Sequence, residues 1–141
     1  MIRYVLDTDH ISLYMRGNVS IQHRLQQIPP DQIAVTIITA EELLRGRLAQ
    51  THRANSGSQR IFAYQGLLNT IKLSQAIPIL PFDETAELHF ADLTTKRLRI
   101  GTQDLRIAAV VVAHDATLVT RNQRDFSRIQ GLRSEDWSET R

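Results

Sequence analysis

Four short apolar runs, residues 2–6, 33–38, 77–80 and 118–120, are separated by longer stretches in which apolar residues recur at helical spacing. Strand formers dominate the runs: β-branched side chains fill five of the six positions from 33 to 38, the pattern of a strand buried on both faces. Alternation of strands and helices constrains the chain to an α/β architecture with a mainly parallel central sheet. A further strand near Leu132 would complete it.

The boundaries follow from local chemistry. Asp7-Thr8-Asp9-His10 ends the first strand and opens a helix, with Asp9 the expected cap. A second helix over 20–28 stops at Pro29-Pro30. Thr39-Ala40-Glu41-Glu42 has the form of a capping box, placing the next helix from Thr39 to about His52 with Glu42 bonded back to the Thr39 amide. Asn55-Ser56-Gly57-Ser58 is a polar loop, followed by a long helix through Ile61–Leu73 spacing; Asp83 caps another helix, and residues 105–114 form one that is apolar nearly all round.

Length and composition narrow the classes. At 141 residues the chain is expected to be a single domain, 1–141, and 42% hydrophobic with 23% charged residues suits a packed core. The absence of cysteine excludes disulfides, thiolate zinc sites, iron–sulfur clusters and a cysteine nucleophile, and fits a cytoplasmic protein. The longest apolar run, 107–113, is too short to span a membrane. Net charge is only +2, but fifteen of the seventeen cations are arginines, whose planar fork suits phosphate.

In an open parallel sheet, chemistry lies beyond the carboxyl ends of the strands. Asp7 follows the first strand there, Glu42 opens a helix directly after the second, Asp104 stands in the first turn of the apolar helix, and Asn122 and Asp125 follow the last clear strand. Each has an ordinary reading as a cap, dipole partner or solvated turn. Together they converge on one edge, where clustered carboxylates repel unless a cation is shared. Oxygen-only donors favour Mg²⁺, with Mn²⁺ possible, over zinc, and such an ion suits phosphodiester hydrolysis by activated water. The histidines at 10, 23, 52, 89 and 114 form no dyad by spacing. Arginines flank every acid: Arg45, Arg47 and Arg53 after Glu42, Arg97, Arg99 and Arg106 around Asp104, and Arg121, Arg124 and Arg128 around Asp125. They offer a polyanion a surface.

These stretches resemble, in order, the motifs of PIN-domain ribonucleases, and most of all VapC toxins of bacterial type II toxin–antitoxin modules: Val5-Leu6-Asp7-Thr8-Asp9, Thr39 through Gly46, Asp104 through Ala109, and Thr120 through Phe126. Ile79 through Asp83 and Gly131 through Trp137 are similar to that subgroup as well. The resemblance implies a three-layer α/β/α sandwich of PIN type. It places metal and catalytic roles on Asp7, Glu42 and Asp104; the fourth position is Asn122 or Asp125, with Asp125 favoured as the acid and Asn122, Thr120, Arg121 and Arg124 as substrate-positioning groups. Asp9 stands where the family usually has asparagine. Also implied are Mg²⁺-dependent cleavage of transfer or ribosomal RNA, inhibited translation, a VapB-like antitoxin, homodimers joined into larger hetero-oligomers, and operator DNA bound only through the antitoxin. Two other readings stand beside it: a PIN-fold binding or corepressor module without useful catalysis, and a haloacid-dehalogenase-like phosphatase starting from Asp7-Thr8-Asp9, which would need a well-placed lysine from Lys72 or Lys96.

Overall fold

A computed structural model describes residues 1–139; Thr140 and Arg141, the last positions of the expected domain, lie outside the described residues. Strand β1 (Tyr4–Leu6) leads into α1 (Thr8–Met15) and α2 (Val19–Gln26), and β2 (Ile33–Thr36) leads into the helical pair α3 (Ile37–Arg53) and α4 (Gly57–Ala76). Strand β3 (Ile79–Leu80) precedes α5 (Glu84–Thr95) and α6 (Thr102–Ala113), and β4 (Thr117–Val119) is followed by the single-turn helix α7 (Gln123–Phe126) and β5 (Arg133–Glu135). The sheet has the order β3-β2-β1-β4-β5, and every pairing is parallel. That is the α/β sandwich expected from the alternation.

Successive side chains of a strand point to opposite faces, and the core divides accordingly. Val5, Ala34 and Leu118 face the layer of α5 and α6 with Ile107 and Val110; their neighbours Leu6, Val35 and Val119 face Ile11, Ile21 and Trp137. With both faces covered, the strands can be buried at every position, as β2 is along all four of its residues, apolar from Ile33 to Val35 and ending on Thr36. Among the described residues no helix is long and apolar enough to cross a membrane.

The capping box does not form. Strand β2 ends at Thr36, whose hydroxyl accepts the Thr39 amide at 3.1 Å, so α3 starts at Ile37 and Thr39 lies inside it. Ile37 and Ile38 prolong the strand-like pattern, but Ile38 packs into the core from the helix. The cap of α1 is likewise Asp7 rather than Asp9. Asp83 caps α5 as expected, its carboxylate accepting the Ala86 amide at 3.0 Å. Asp83→Ala should cost about 1 kcal/mol, seen as a lower urea midpoint at unchanged m.

Candidate active site

The carboxyl ends of β1, β2 and β4 lie together, and a cleft of about 680 Å³ opens there, its walls including Asp7, Glu42, Asp104 and Asn122. Asp7 continues β1, its amide bonding to the Val119 carbonyl at 3.0 Å. Its Oδ1 accepts the His10 amide at 2.8 Å, so the residue is at once helix cap and cleft wall. Glu42, freed from the capping box, accepts the Thr8 hydroxyl at 2.6 Å, and Thr8 also lies 3.1 Å from the Thr39 hydroxyl. Glu41 turns away to Arg45 at 3.0 Å, which leaves Glu42 as the acid of the pair in the cleft.

Asp104 stands in the first turn of α6 and, among the described residues, its carboxylate accepts no hydrogen bond and forms no ion pair. Burial pushes its pKa up, and the negative charges of Glu42, Asp7 and Asp125 push it further. A desolvated carboxylate among like charges is a group that a bound cation would stabilise.

The fourth position divides between two residues. Asn122 lines the cleft, with its amide bonded to the Thr120 hydroxyl at 3.0 Å and its side chain donating to Asp125 Oδ2 at 3.0 Å. Asp125 stands behind it, its other oxygen held by Arg128 at 2.6 Å. The Asn122 donor, together with Arg128 and Arg124, keeps the Asp125 carboxyl below the usual range. Asp125 thus bears on the cleft through Asn122 and through its charge on Asp104. Thr120 is fully buried and shapes this turn; Arg124 is exposed beside it.

Arg121 spans the mouth in a two-pronged pair with Asp9, at 2.6 and 3.0 Å. The hydrogen bond and charge of Asp9 hold the Arg121 pKa up. This pair explains how an aspartate is accommodated at position 9: its charge is matched across the cleft. Arg16 and Ser12, at the far end of α1, also line the wall, and no local motif marks them. Other flanking arginines point elsewhere, Arg47 to Thr70 at 3.1 Å and Arg106 to Gln103 at 2.7 Å. Neither lysine serves a phosphatase arrangement, for Lys72 is in α4 and Lys96 pairs with Asp92 at 3.3 Å.

Among the described residues no three His, Cys, Asp or Glu side chains are close enough to form a closed metal cage. The donor set nevertheless fits a hard cation bound openly: Mg²⁺ keeps several waters and takes one or two carboxylates plus substrate phosphate. A second cavity of about 400 Å³, between the ends of α3 and α4, includes Arg53, Gln59 and Phe62 but no acid in its walls.

The PIN domain family matches residues 4–132. Ribonuclease VapC1 of Haemophilus influenzae strain R2866 is 31% identical, with 96% of this chain and 98% of the relative covered. The chain belongs to the PIN domain family. Its VapC branch is supported again by Ribonuclease VapC1 of Rickettsia felis, 34% identical over 91% of each chain. Among solved PIN structures, a DNA-bound VapBC from Salmonella typhimurium superposes with a TM-score of 0.80 at 25% identity, covering 97% of this chain and 99% of that one. In PIN terms, the acid motifs read from the sequence lie at the carboxyl edge of this fold, and the segment carrying β5 and Trp137 extends past the matched span.

Proposed function

We propose that the chain is a divalent-metal-dependent endoribonuclease, the toxin of a VapBC-type module, which cleaves structured cellular RNA and so inhibits translation in the cytoplasm. The observation that carries this reading is Asp104: an acid without a donor among the described residues, made harder to ionise by burial and by Glu42 and Asp7, at the wall of a cleft wide enough for a phosphate group. Asp7 and Asp104 would hold Mg²⁺ directly, and Glu42 and the Asn122–Asp125 pair would complete its water shell. When bound, the ion supplies charge neutralisation for the acids and for a scissile phosphodiester, and a water of lowered pKa. Thr8 orients Glu42, and Asn122 couples Asp125 to the wall. The named relatives support RNA as substrate and an antitoxin as partner, with operator DNA contacted through the complex.

The test is cleavage of total cellular RNA by purified, antitoxin-free protein in Mg²⁺ or EDTA, comparing wild type with Asp7→Asn and mapping new ends. Discrete ends requiring both Mg²⁺ and Asp7 are expected. Their absence from correctly folded protein would favour a binding module instead.

The α5–α6 loop supplies a further expectation about RNA binding. Arg97 and Arg99 adopt left-handed backbone, φ 49° and 59°, which non-glycine residues rarely do. The alternation turns both guanidinium groups to solvent while Leu98 packs on the core, and Arg128 clasps the Leu98 carbonyl as well as Asp125. The double variant Arg97→Gly/Arg99→Gly should melt no lower than wild type, since glycine tolerates this backbone. Its log KM for RNA should depend less steeply on log salt, by about 0.7 for each phosphate that the arginines had neutralised. Arg60→Gly on α4 is the control, with the salt slope unchanged.

A further inference from the structure

Asn122 stands at the N-terminal cap of α7, where an asparagine oxygen ordinarily accepts a backbone amide of the first turn. Here its side chain makes no such bond. The backbone is held without it, the Asn122 amide donating to the Thr120 hydroxyl at 3.0 Å and the Asn122 carbonyl accepting the Phe126 amide at 3.3 Å. The side chain is committed elsewhere, its Nδ2 donating to Asp125 Oδ2 at 3.0 Å.

That bond settles which end of the amide is turned away from Asp125. A carboxylate oxygen only accepts, so the group facing it is the NH2 and the group left over is the carbonyl oxygen. Among the described residues Oδ1 takes no donor, yet it is not one of the buried atoms left without a partner, so it is open to solvent. Asn122 forms part of the cleft wall, and Oδ1 is the polar atom it has free there. The carboxylate behind it is fixed in turn. Arg128 Nη2 donates to Asp125 Oδ1 at 2.6 Å, and Nη1 of the same guanidinium donates to the Leu98 carbonyl. Leu98 packs on the core, so the fork is anchored by one prong and holds the acid with the other.

We propose that Arg128 and Asp125 are positioning residues that lock the Asn122 amide with its oxygen toward the cleft, where it accepts a hydrogen bond from the water shell of a bound cation. Waters on a cation have their lone pairs engaged and need acceptors; an inverted amide would meet them with N–H groups. The fourth position thereby contributes a neutral acceptor, which adds no charge to the repulsion already acting on Asp104. The α5–α6 loop, through the Leu98 carbonyl, sets the orientation of a group in the cleft. This inference rests on the reading of the cleft as a metal site, so its test separates the two.

The test is calorimetric titration of the full chain with Mn²⁺ alone, without RNA. On charge alone, removing the Arg128 cation by Arg128→Met would tighten binding of a metal ion. The lock predicts the opposite, a loss of about 10–100-fold, the usual cost of removing an outer group at a metal site. Arg128→Lys keeps the charge but not the fork and should recover little of that loss. Asp125→Asn keeps the shape, but with its carbonyl taken by Arg128 it turns its own NH2 to Asn122, inverts that amide and should weaken Mn²⁺ by a similar factor. In metal-free wild type, the Nδ2 protons of Asn122 should show Overhauser contacts to the β protons of Asp125. Absence of those contacts overturns the proposal without need of any variant. Mn²⁺ binding that Asp7→Asn abolishes and Arg128→Met leaves as tight as wild type, or tighter, overturns the lock alone; failure of wild type to bind Mn²⁺, or binding indifferent to Asp7→Asn, overturns both readings.

Discussion

Asp104→Asn is expected to lower RNA cleavage by at least about a hundredfold, the upper range for losing an outer group at a metal site, while making the metal-free protein more heat-stable. The two effects have one origin. The carboxylate is desolvated and repelled by Glu42, Asp7 and Asp125, so its pKa in the folded chain lies above the ordinary value. For a carboxyl raised in this way, the favourable contribution is complete below the ordinary carboxylate pKa and is lost as pH rises through the raised folded value. The Tm advantage of Asp104→Asn should therefore be absent near pH 3 and grow as pH rises toward neutrality. Mg²⁺ should reverse the order, since an ion at a hundred times its Kd stabilises wild type by about 2.7 kcal/mol, roughly 10 °C for a chain of this size, and should leave the variant nearly unmoved. Melting curves over pH, with and without Mg²⁺, check all three statements. A variant that cleaves RNA like wild type would remove Asp104 from the site.

Trp137→Ala is expected to cost about 3–5 kcal/mol, the usual cost of emptying a buried aromatic site, as a fall in urea midpoint large enough to unfold much of the chain at physiological temperature. The indole is 2% exposed, lies 5.1 Å from the Tyr4 ring and is covered by the Arg24 guanidinium at 4.9 Å. It closes the α1–α2 side of the core with Leu6 and Val119. The residue lies beyond the span that matches the PIN family, so truncation after Leu132 should unfold the chain as severely even though that span is kept. Trp137→Phe, which keeps the aromatic volume, should cost well under half as much.

The sheet and its functional edge were legible because they rest on local chemistry: β-branched runs, Pro29-Pro30, and acids placed just after strands. Asp7 and Glu42 meet in the cleft for that reason, and Asp104 joins them from the first turn of α6. The start of α3 was not legible, since Ile37 and Ile38 suit a strand as well as a helix and only the end of β2 at Thr36 decides between them. The partners of His10 and Asp9 lie 127 and 112 residues away, and no local pattern announces such pairs. At the fourth position the sequence showed Asn122 and Asp125 three residues apart; what it did not show was Arg128 turning Asp125 behind Asn122.

Strand β1 is central, and its neighbour β4 comes from the far end of the chain. A ribosome making roughly 5–20 residues per second reaches Asn122 about 6–23 s after Asp7. Until then the nascent polypeptide has no edge at which Asp7 can meet Asn122, and a message broken or stalled upstream yields fragments without a complete cleft. The strand order thus withholds the cleft until β4 and the turn after it have been made.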